Sequence, residues 1–263
     1  MLPRDRRRDL ANEWHHFILG NYADVVSNQA AETVIYNESL SYDRCSVPST
    51  EFFVIDATTT DAALVALQDG EQVCILNFAS YCNPGGGFLN GAMAQEEALC
   101  RSSTLYEVLT EQEDKFYNEN RKATNKGLYT NRRLFSPKIM FFDDDRRPIG
   151  EASVITCAAP NYRAASRNGI HSSVCNNEIW KRVGAVLNSA AHSGCRTLIL
   201  GAFGCGVFGN DPKIVSDAFF TLLQTDYRNV FEKVVFAIPG KNGINYATFE
   251  STFRPLIEKE AML

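Results

Sequence analysis

Residues 72–100 read QVCILNFASYCNPGGGFLNGAMAQEEALC, and three kinds of segment follow one another in them. Its first part, residues 72–79, is mostly apolar and predicts a buried β-strand. A loop dense in glycine follows over residues 80–91, and a helix is expected to begin near Gln95. A strand, a glycine loop and a helix in this order are typical of α/β proteins that bind ligands beyond the carboxyl ends of their strands.

Strands and helices alternate along most of the chain. Further strands are predicted at residues 51–57, 152–158, 197–202 and 233–238, and helices at 9–31 (one helix or a pair), after the threonines 58–60, and at 172–191, 211–225 and 246–259. Such alternation implies a largely parallel or mixed sheet with helices on both faces. Residues 107–150 are polar and irregular, and we expect a solvated insertion there around one short strand, 138–142.

Length and charge limit the possible functions. A chain of 263 residues suits one enlarged domain or two small ones, and the continuous alternation favours one. The hydrophobic content of 45% and charged content of 22% are those of a globular protein. With a net charge of -5 the chain has no general attraction to phosphate backbones, so ordinary nucleic-acid binding is not expected. An anionic ligand must therefore be held by local groups.

The cysteines, the N-terminus and the histidines indicate a cytoplasmic protein without a metal. Eight cysteines occur without a CxxC pair, which predicts reduced thiols. The start MLPRDRRRDL continues into ANEWHH and not into an apolar run, so no secretion signal is predicted, and no stretch reaches the ~20 apolar residues of a membrane span. The four histidines are dispersed, and neither a metal site nor a cofactor is expected.

Two glycine loops each follow a predicted strand. Three consecutive glycines, Gly85, Gly86 and Gly87, let a backbone approach a ligand closely. The second loop, GAFGCGVFGN at 201–210, contains the dinucleotide fingerprint GxGxxG. A dinucleotide fold also needs an acidic residue at the end of the next strand, but that strand ends in Pro239 and Gly240. An oxidoreductase is therefore excluded, whereas phosphate binding by the loop is still expected.

Glu96 and Glu97 follow Gln95 at the opening of a helix, where the macrodipole alone favours carboxylates. The triple glycine, a spacer of seven residues and Gln95-Glu96-Glu97 together resemble the signature of poly(ADP-ribose) glycohydrolases. The run NPGGGFLNGAMAQEEALCRSSTLY resembles the microbial branch of that family, and GAFGCGVFGN resembles its diphosphate loop. The resemblance covers most of the chain from about residue 9 onward.

The resemblance implies a three-layer α/β macrodomain fold, a mixed sheet flanked by helices. Residues 1–263 would form one domain, with a helical N-terminal extension over 1–50 and a core over 51–263 that carries the insertion around 107–150. The implied substrate is poly(ADP-ribose) on modified proteins, and the implied product is ADP-ribose. A monomer without a cofactor or membrane contact, acting in the DNA damage response, is the corresponding expectation.

Site residues follow from the same motif positions. Glu97 would be the catalytic acid and base, and Glu96 would hold ribose hydroxyls. The terminal ribose would lie beside Gln95 and the first loop, namely Asn83, Gly85, Gly86 and Gly87. The diphosphate would lie in the second loop, namely Gly204, Cys205, Gly206, Val207, Phe208 and Gly209, with Phe208 against the ribose. For the adenine, macrodomains suggest a polar group within residues 56–60, with Thr59 and Thr60 as candidates, and an aromatic residue, Phe236.

The chemistry of the residues agrees with glycoside cleavage. One carboxylic acid can protonate the leaving oxygen of an oxocarbenium-like transition state. Adjacent helical residues point roughly 100° apart, so Glu96 and Glu97 are not expected to flank one bond, and the substrate's diphosphate would supply the second negative charge. Two alternatives stay open: a macrodomain that binds ADP-ribose without cleaving it, and a hydrolase of mono-ADP-ribose on side chains or nucleic acid.

Overall fold

The computed structural model describes residues 2–44 and 46–260 and contains one mixed sheet between two layers of helices. The strands are β1 (Val34–Tyr36), β2 (Glu51–Ile55), β3 (Val73–Phe78), β4 (Arg133–Phe142), β5 (Pro148–Cys157), β6 (Thr197–Leu200) and β7 (Lys233–Ala237). The α-helices are α1 (Arg4–Glu32), α2 (Thr59–Gln68), α3 (Gln95–Arg101), α4 (Leu105–Thr110), α5 (Asn118–Lys122), α6 (Tyr162–Arg167), α7 (Ser172–His192), α8 (Pro212–Gln224) and α9 (Ile244–Glu260).

The sheet has the order β1-β4-β5-β3-β6-β7-β2. The five strands from β5 to β2 are parallel, whereas β4 pairs antiparallel with β5 and β1 pairs antiparallel with β4. The predicted mixed sheet between helical layers is therefore confirmed.

Both faces of the sheet are buried, and β3 shows why. Cys74 and Leu76 point into a core formed with α7, α8 and α9. Val73 and Ile75 point into the opposite core, formed with α1, α2, α3 and α4. Alternate residues of a strand face opposite sides, so a strand covered on both sides must be apolar throughout, as this one is up to Asn77.

The N-terminal segment contributes a strand as well as a helix, which corrects the expectation that residues 1–50 are only a helical extension. After α1, residues Val34–Tyr36 form β1 and pair with Arg133, Leu134 and Phe135 of β4. Three residues are too few to produce a recognisable alternation. The pairing partner, far away in sequence, creates this strand.

Residues 107–150 are not a solvated insertion, and that expectation is wrong. β4 has ten residues where a strand of five was predicted, and it lies inside the sheet. Leu134, Ile139 and Phe141 are fully buried, as are Val108 and Leu109 of α4. The region has many polar residues at its surface, so its sequence does not show that its apolar residues belong to the core beneath α1.

The parallel strands all end at one edge of the sheet. The loops that follow β2, β3, β5, β6 and β7 therefore meet there. This arrangement places both glycine loops at the same edge.

Replacement of Phe141 by alanine tests the assignment of β4 to the core. Loss of a fully buried phenylalanine typically lowers the free energy of unfolding by about 3–5 kcal/mol. The control is the exposed Asp144, in the turn between β4 and β5. Asp144→Ala should change the free energy of unfolding by less than about 0.5 kcal/mol. Urea denaturation measures both, and a loss below about 1 kcal/mol for Phe141→Ala would contradict the assignment.

Candidate active site

An open cavity of about 850 Å³ lies at the carboxyl edge of the sheet. Residues that follow five different strands line it: 58–60 after β2, 79–80 after β3, Ala159 after β5, 202–204 after β6 and 238–239 after β7. The two glutamates at the start of α3 also line it. The described lining contains no lysine, arginine or histidine, so backbone N–H groups must provide much of its attraction for an anion.

Glu97 connects the first glycine loop to α3. Its Oε1 accepts a hydrogen bond from the Gly87 N–H at 2.8 Å, and its Oε2 accepts one from the Ala94 N–H, also at 2.8 Å. The second bond caps the N-terminus of α3, where backbone N–H groups lack helical partners. Glu97 as a whole residue is only 6% exposed, and it lines the cavity.

Glu96 is attached to the sheet. Its Oε2 accepts from the Ser80 N–H at 2.7 Å, and its Oε1 accepts from the Asn77 amide at 3.2 Å. Burial raises the pKa of Glu96 to about 8, although the bonds from Ser80 and Asn77 act in the opposite direction and the charge of Glu97 adds to the increase. At neutral pH this carboxyl is therefore largely protonated.

The carboxyl groups of Glu96 and Glu97 converge at Gly86, although adjacent residues of a helix point in directions roughly 100° apart. A methyl group built on Gly86 would lie 2.5 Å from Glu97 Oε1 and 2.9 Å from Glu96 Oε2. Gly86 also has a φ of +59°, in a backbone region that residues with a side chain rarely adopt. Side-chain torsions thus bring the two carboxyl groups to one point, and the expectation that they do not flank one bond stays a prediction.

Gln95 fixes the start of α3 against β3. Its amide Nε2 donates to the Leu76 carbonyl at 2.8 Å, and its Oε1 accepts from the Phe78 N–H at 2.8 Å. Gln95 lines the cavity, but both polar ends of its side chain are bonded to the strand. Its observed contacts position the two glutamates that follow it.

The remaining residues of the first loop lie behind Gly86. Asn83 is exposed and outside the lining, and its carbonyl accepts from the Gly86 N–H at 3.0 Å. Gly85, with a φ of +62°, packs against Tyr106, whose ring would be 2.5 Å from an added methyl group. Gly87 acts through its N–H to Glu97.

The second loop presents four of its predicted residues to the cavity, Gly204, Gly206, Val207 and Phe208. Gly204 needs its φ of +73°, since a methyl group there would lie 2.5 Å from the Ala159 side chain. Cys205 and Gly209 are outside the lining: the Cys205 thiol faces the Phe203 carbonyl, and Gly209 packs against Arg163.

Two of the three residues predicted for the adenine line the cavity. Thr59 and Thr60 line the cavity at the start of α2. Phe236 is fully buried and packs on Phe249 and Phe253, with ring centroids 5.3 and 4.4 Å away. The expectation that Phe236 contacts the adenine is therefore wrong, since it belongs to the core beneath the sheet.

Asn77 and Ser80 are site residues that the sequence analysis missed. Asn77 is fully buried in β3, opposite Thr156 of β5, and donates to both Glu96 and Thr156. The available signal was an asparagine in an otherwise apolar strand. A buried amide requires polar partners, and Glu96 is the partner here.

A third buried carboxyl, that of Glu107, lies on α4. Glu107 of α4 is 1% exposed, its Oε1 lies 3.1 Å from His15 Nδ1, and burial raises its pKa to about 8. Its neighbour Tyr106 is the residue that contacts Gly85.

Within residues 2–44 and 46–260, no group of three or more His, Cys, Asp or Glu side chains is arranged to hold a metal, and no helix is long and apolar enough to cross a membrane.

Comparison with known proteins identifies relatives. The family model for the microbial-type PARG catalytic domain, where PARG denotes poly(ADP-ribose) glycohydrolase, matches residues 19–144. The crystal structure of that enzyme from Thermomonospora curvata is similar, with a TM-score of 0.83 and 34% sequence identity. The match covers 95% of this chain and 100% of the other. The complex of the same enzyme with the inhibitor ADP-HPD matches with 34% identity, the same coverage of both chains and a TM-score of 0.82.

A third similar structure comes from another bacterium. The Deinococcus radiodurans enzyme in complex with ADP-ribose is 32% identical, with 88% of this chain and 98% of that one covered and a TM-score of 0.77. A search of curated proteins gives no significant match.

Gly86→Ala should lower the free energy of unfolding by more than the cost of placing alanine in a left-handed backbone conformation. Gly70 provides the matched control, because its φ of +77° is similar but nothing lies within 4 Å of an added methyl group. A left-handed alanine costs about 1–2 kcal/mol, so Gly70→Ala should lower the free energy of unfolding by that amount. Gly86→Ala should lower it further by displacing both carboxylates. Equal losses in urea denaturation would contradict the convergence of Glu96 and Glu97 on Gly86.

The raised pKa values predict that stability falls as the pH rises. Between the ordinary glutamate pKa and about 8, folded Glu96 and Glu107 hold protons that the unfolded chain has released. The free energy of unfolding should therefore decrease as the pH rises towards 8 and level off above it. The decline is best measured above about pH 6.5, because the lowered pKa of His15 has the opposite effect below that pH. Glu107→Gln should make it shallower, and an unchanged slope in urea titrations would contradict the protonated state.

Proposed function

The chain belongs to the poly(ADP-ribose) glycohydrolase family, and on this basis we propose that it hydrolyses the ribose-ribose O-glycosidic bond of poly(ADP-ribose) with Glu97 as acid and base. The observation that carries the proposal is the position of the Glu97 carboxylate. Two backbone N–H groups hold it at the cavity wall, next to the glycine loop that admits a ligand most closely.

The reaction would proceed through one carboxyl group. Glu97 gives its proton to the bridging oxygen as the bond between that oxygen and the anomeric carbon breaks. The next ribose leaves with a hydroxyl group, and the oxocarbenium-like centre remains. Glu97, now a carboxylate, takes a proton from water while the water oxygen bonds to the anomeric carbon. The products are ADP-ribose and the shortened polymer, and Glu97 regains its proton.

Glu96 would hold ribose hydroxyls beside this bond. Its carboxyl converges with that of Glu97 at Gly86, which supports a place next to the same sugar. Being largely protonated at neutral pH, it adds little negative charge near the oxocarbenium-like centre. The substrate's own diphosphate would provide that charge.

The second loop would hold the diphosphate. The cavity that Glu97 lines is also lined by Gly204, Gly206, Val207 and Phe208, and its described lining lacks cationic side chains. Backbone N–H groups of this loop are thus the natural donors for phosphate oxygens. Phe208 would pack against the ribose, and Thr59 and Thr60 would face the adenine.

Further proposals concern the context of the enzyme. We propose that residues 1–263 form a single glycohydrolase domain, that it acts as a monomer on ADP-ribosylated proteins, and that it serves the DNA damage response. A cytoplasmic location is supported by the free thiols of the seven described cysteines.

Glu97→Gln should reduce polymer hydrolysis by about 10²–10⁴-fold, the usual contribution of general acid-base catalysis. The amide also faces two N–H donors with a single oxygen, so affinity for ADP-ribose should fall modestly. Glu96→Gln provides the comparison, because its amide also faces two N–H donors with a single oxygen, and its kcat should fall by less than that of Glu97→Gln since it loses no transferable proton at the scissile bond. Release of ADP-ribose from labelled polymer measures turnover, and more than about a tenth of wild-type activity in Glu97→Gln would remove Glu97 from the catalytic role.

The same assay separates the alternative functions. Wild-type protein is incubated with labelled polymer and, separately, with mono-ADP-ribosylated protein. Release from polymer is the expected result. Binding without release would indicate an ADP-ribose reader, and release only from the mono-ADP-ribosylated protein would indicate a hydrolase of single modifications.

A further inference from the structure

Three arginines donate hydrogen bonds to three consecutive carbonyls beside the cavity. Arg4 Nε donates to the Asn90 carbonyl at 3.0 Å and Arg7 Nε to the Gly91 carbonyl at 2.8 Å. Arg101 Nη1, from α3, donates to the Ala92 carbonyl at 3.0 Å. We call Arg4, Arg7 and Arg101 the arginine strip.

No salt bridge pairs the arginine strip with a carboxylate among the described residues. None of its three guanidinium groups has a carboxylate oxygen within 4.0 Å among the described residues, whereas Arg6 and Arg8 nearby form ion pairs with Glu13, Asp5 and Asp9. Burial lowers the pKa of Arg101, and the nearby charge of Glu97 acts in the opposite direction, with a smaller lowering effect from Arg7.

Most N–H groups of the arginine strip remain free to bind a ligand. A guanidinium group has five N–H donors. Arg4 and Arg101 each use one in the contacts above, and Arg7 uses a second on the Leu2 carbonyl. Arginine with free donors is the side chain best suited to phosphate oxygens.

The arginine strip is firmly placed at the catalytic end of the cavity. A methyl group on Gly91 would lie 2.6 Å from the Arg4 carbonyl and 3.0 Å from the Arg8 N–H, so the start of α1 packs directly on this loop. The next residues along the chain, Ala92, Met93 and Ala94, line the cavity, and the Ala94 N–H binds Glu97. The positive charges therefore lie one short segment away from the catalytic carboxylate.

We propose that the arginine strip binds the diphosphate of the ADP-ribose unit on the leaving side of the scissile bond. The inference rests on the proposed function. If the terminal ribose lies in the cavity beside Gly86 and Glu97, we expect the next unit to extend out of the cavity from this end. That unit carries two negative charges and approaches a protein with a net charge of -5. Arginines without a salt-bridge partner, at the place where this unit leaves the cavity, attract its diphosphate and hold the leaving group in position.

The arginine strip would then affect polymer and small substrates differently. A polymer presents a diphosphate beyond the scissile bond, but an ADP-ribose derivative with a neutral aryl leaving group does not. The strip should contribute to the KM of the first substrate and not of the second. A purely structural role for the arginines would alter both.

The test uses Arg4→Gln/Arg7→Gln in the full chain and leaves Arg101 in place because it belongs to α3. The KM for polymer should rise about 5- to 20-fold at low salt with kcat unchanged, and its salt dependence should become shallower. Values for the aryl substrate should stay within about twofold. Arg4→Lys/Arg7→Lys should restore most of the polymer KM, since the charge returns.

Arg196→Gln/Arg228→Gln is the matched control. Both arginines are exposed and precede β6 or β7, at the opposite edge of the sheet, so the net charge changes equally while the arginine strip is intact. This control should leave the polymer KM unchanged. An equal rise in the control variant would show a general charge effect and overturn the proposal.

Other outcomes also decide the matter. Equal losses on both substrates, or no loss on either, would overturn the proposal. If Arg4→Gln/Arg7→Gln weakens inhibition by a single-stranded RNA oligonucleotide but leaves polymer kinetics unchanged, the strip is a nucleic-acid site and the proposal is wrong. If wild type hydrolyses neither substrate, the proposed function fails, and titration of fluorescent polymer onto Glu97→Gln, with and without the arginine changes, still tests the strip.

Discussion

The two hydrogen bonds between the Gln95 amide and the β3 backbone place the start of α3 against the sheet. Because α3 begins at this residue, the bonds also determine where Glu96 and Glu97 lie. Glu96 then binds Ser80 and Asn77, and Glu97 binds Gly87, so strand, loop and helix form one connected unit. These hydrogen bonds hold both glutamates in place at the point of the cavity wall where chemistry would occur.

Local patterns predicted the parts of the fold that depend on local sequence. β3, α7 and α8 were predicted within one or two residues, since apolar periodicity and capping residues such as Asp211 mark them directly. β1 and the first half of β4 were not predicted, because they pair with each other and the two segments are distant in sequence. Polar residues in the same region also hid its buried side chains.

The candidate site was predicted where backbone geometry and motif coincide. Gly86, Gly204 and Glu97 line the cavity as expected, since positive φ values and helix starts are properties that sequence indicates. The convergence of Glu96 with Glu97 depends on side-chain torsions, which residue spacing does not determine. Phe236 was misplaced for a similar reason: a strand has two faces, and its apolar sequence does not say which side chain faces a ligand.

A cavity whose described lining lacks cationic side chains has a consequence for how the protein tolerates mutation. Anion recognition by a lysine or arginine disappears with a single substitution of that side chain. A backbone N–H is present in every residue except proline, so recognition by a loop backbone survives most substitutions that keep the loop's shape. Sequence drift around this cavity should therefore be restricted at glycines such as Gly86 and Gly204, which set the shape, and be much freer at Val207, whose side chain is largely exposed.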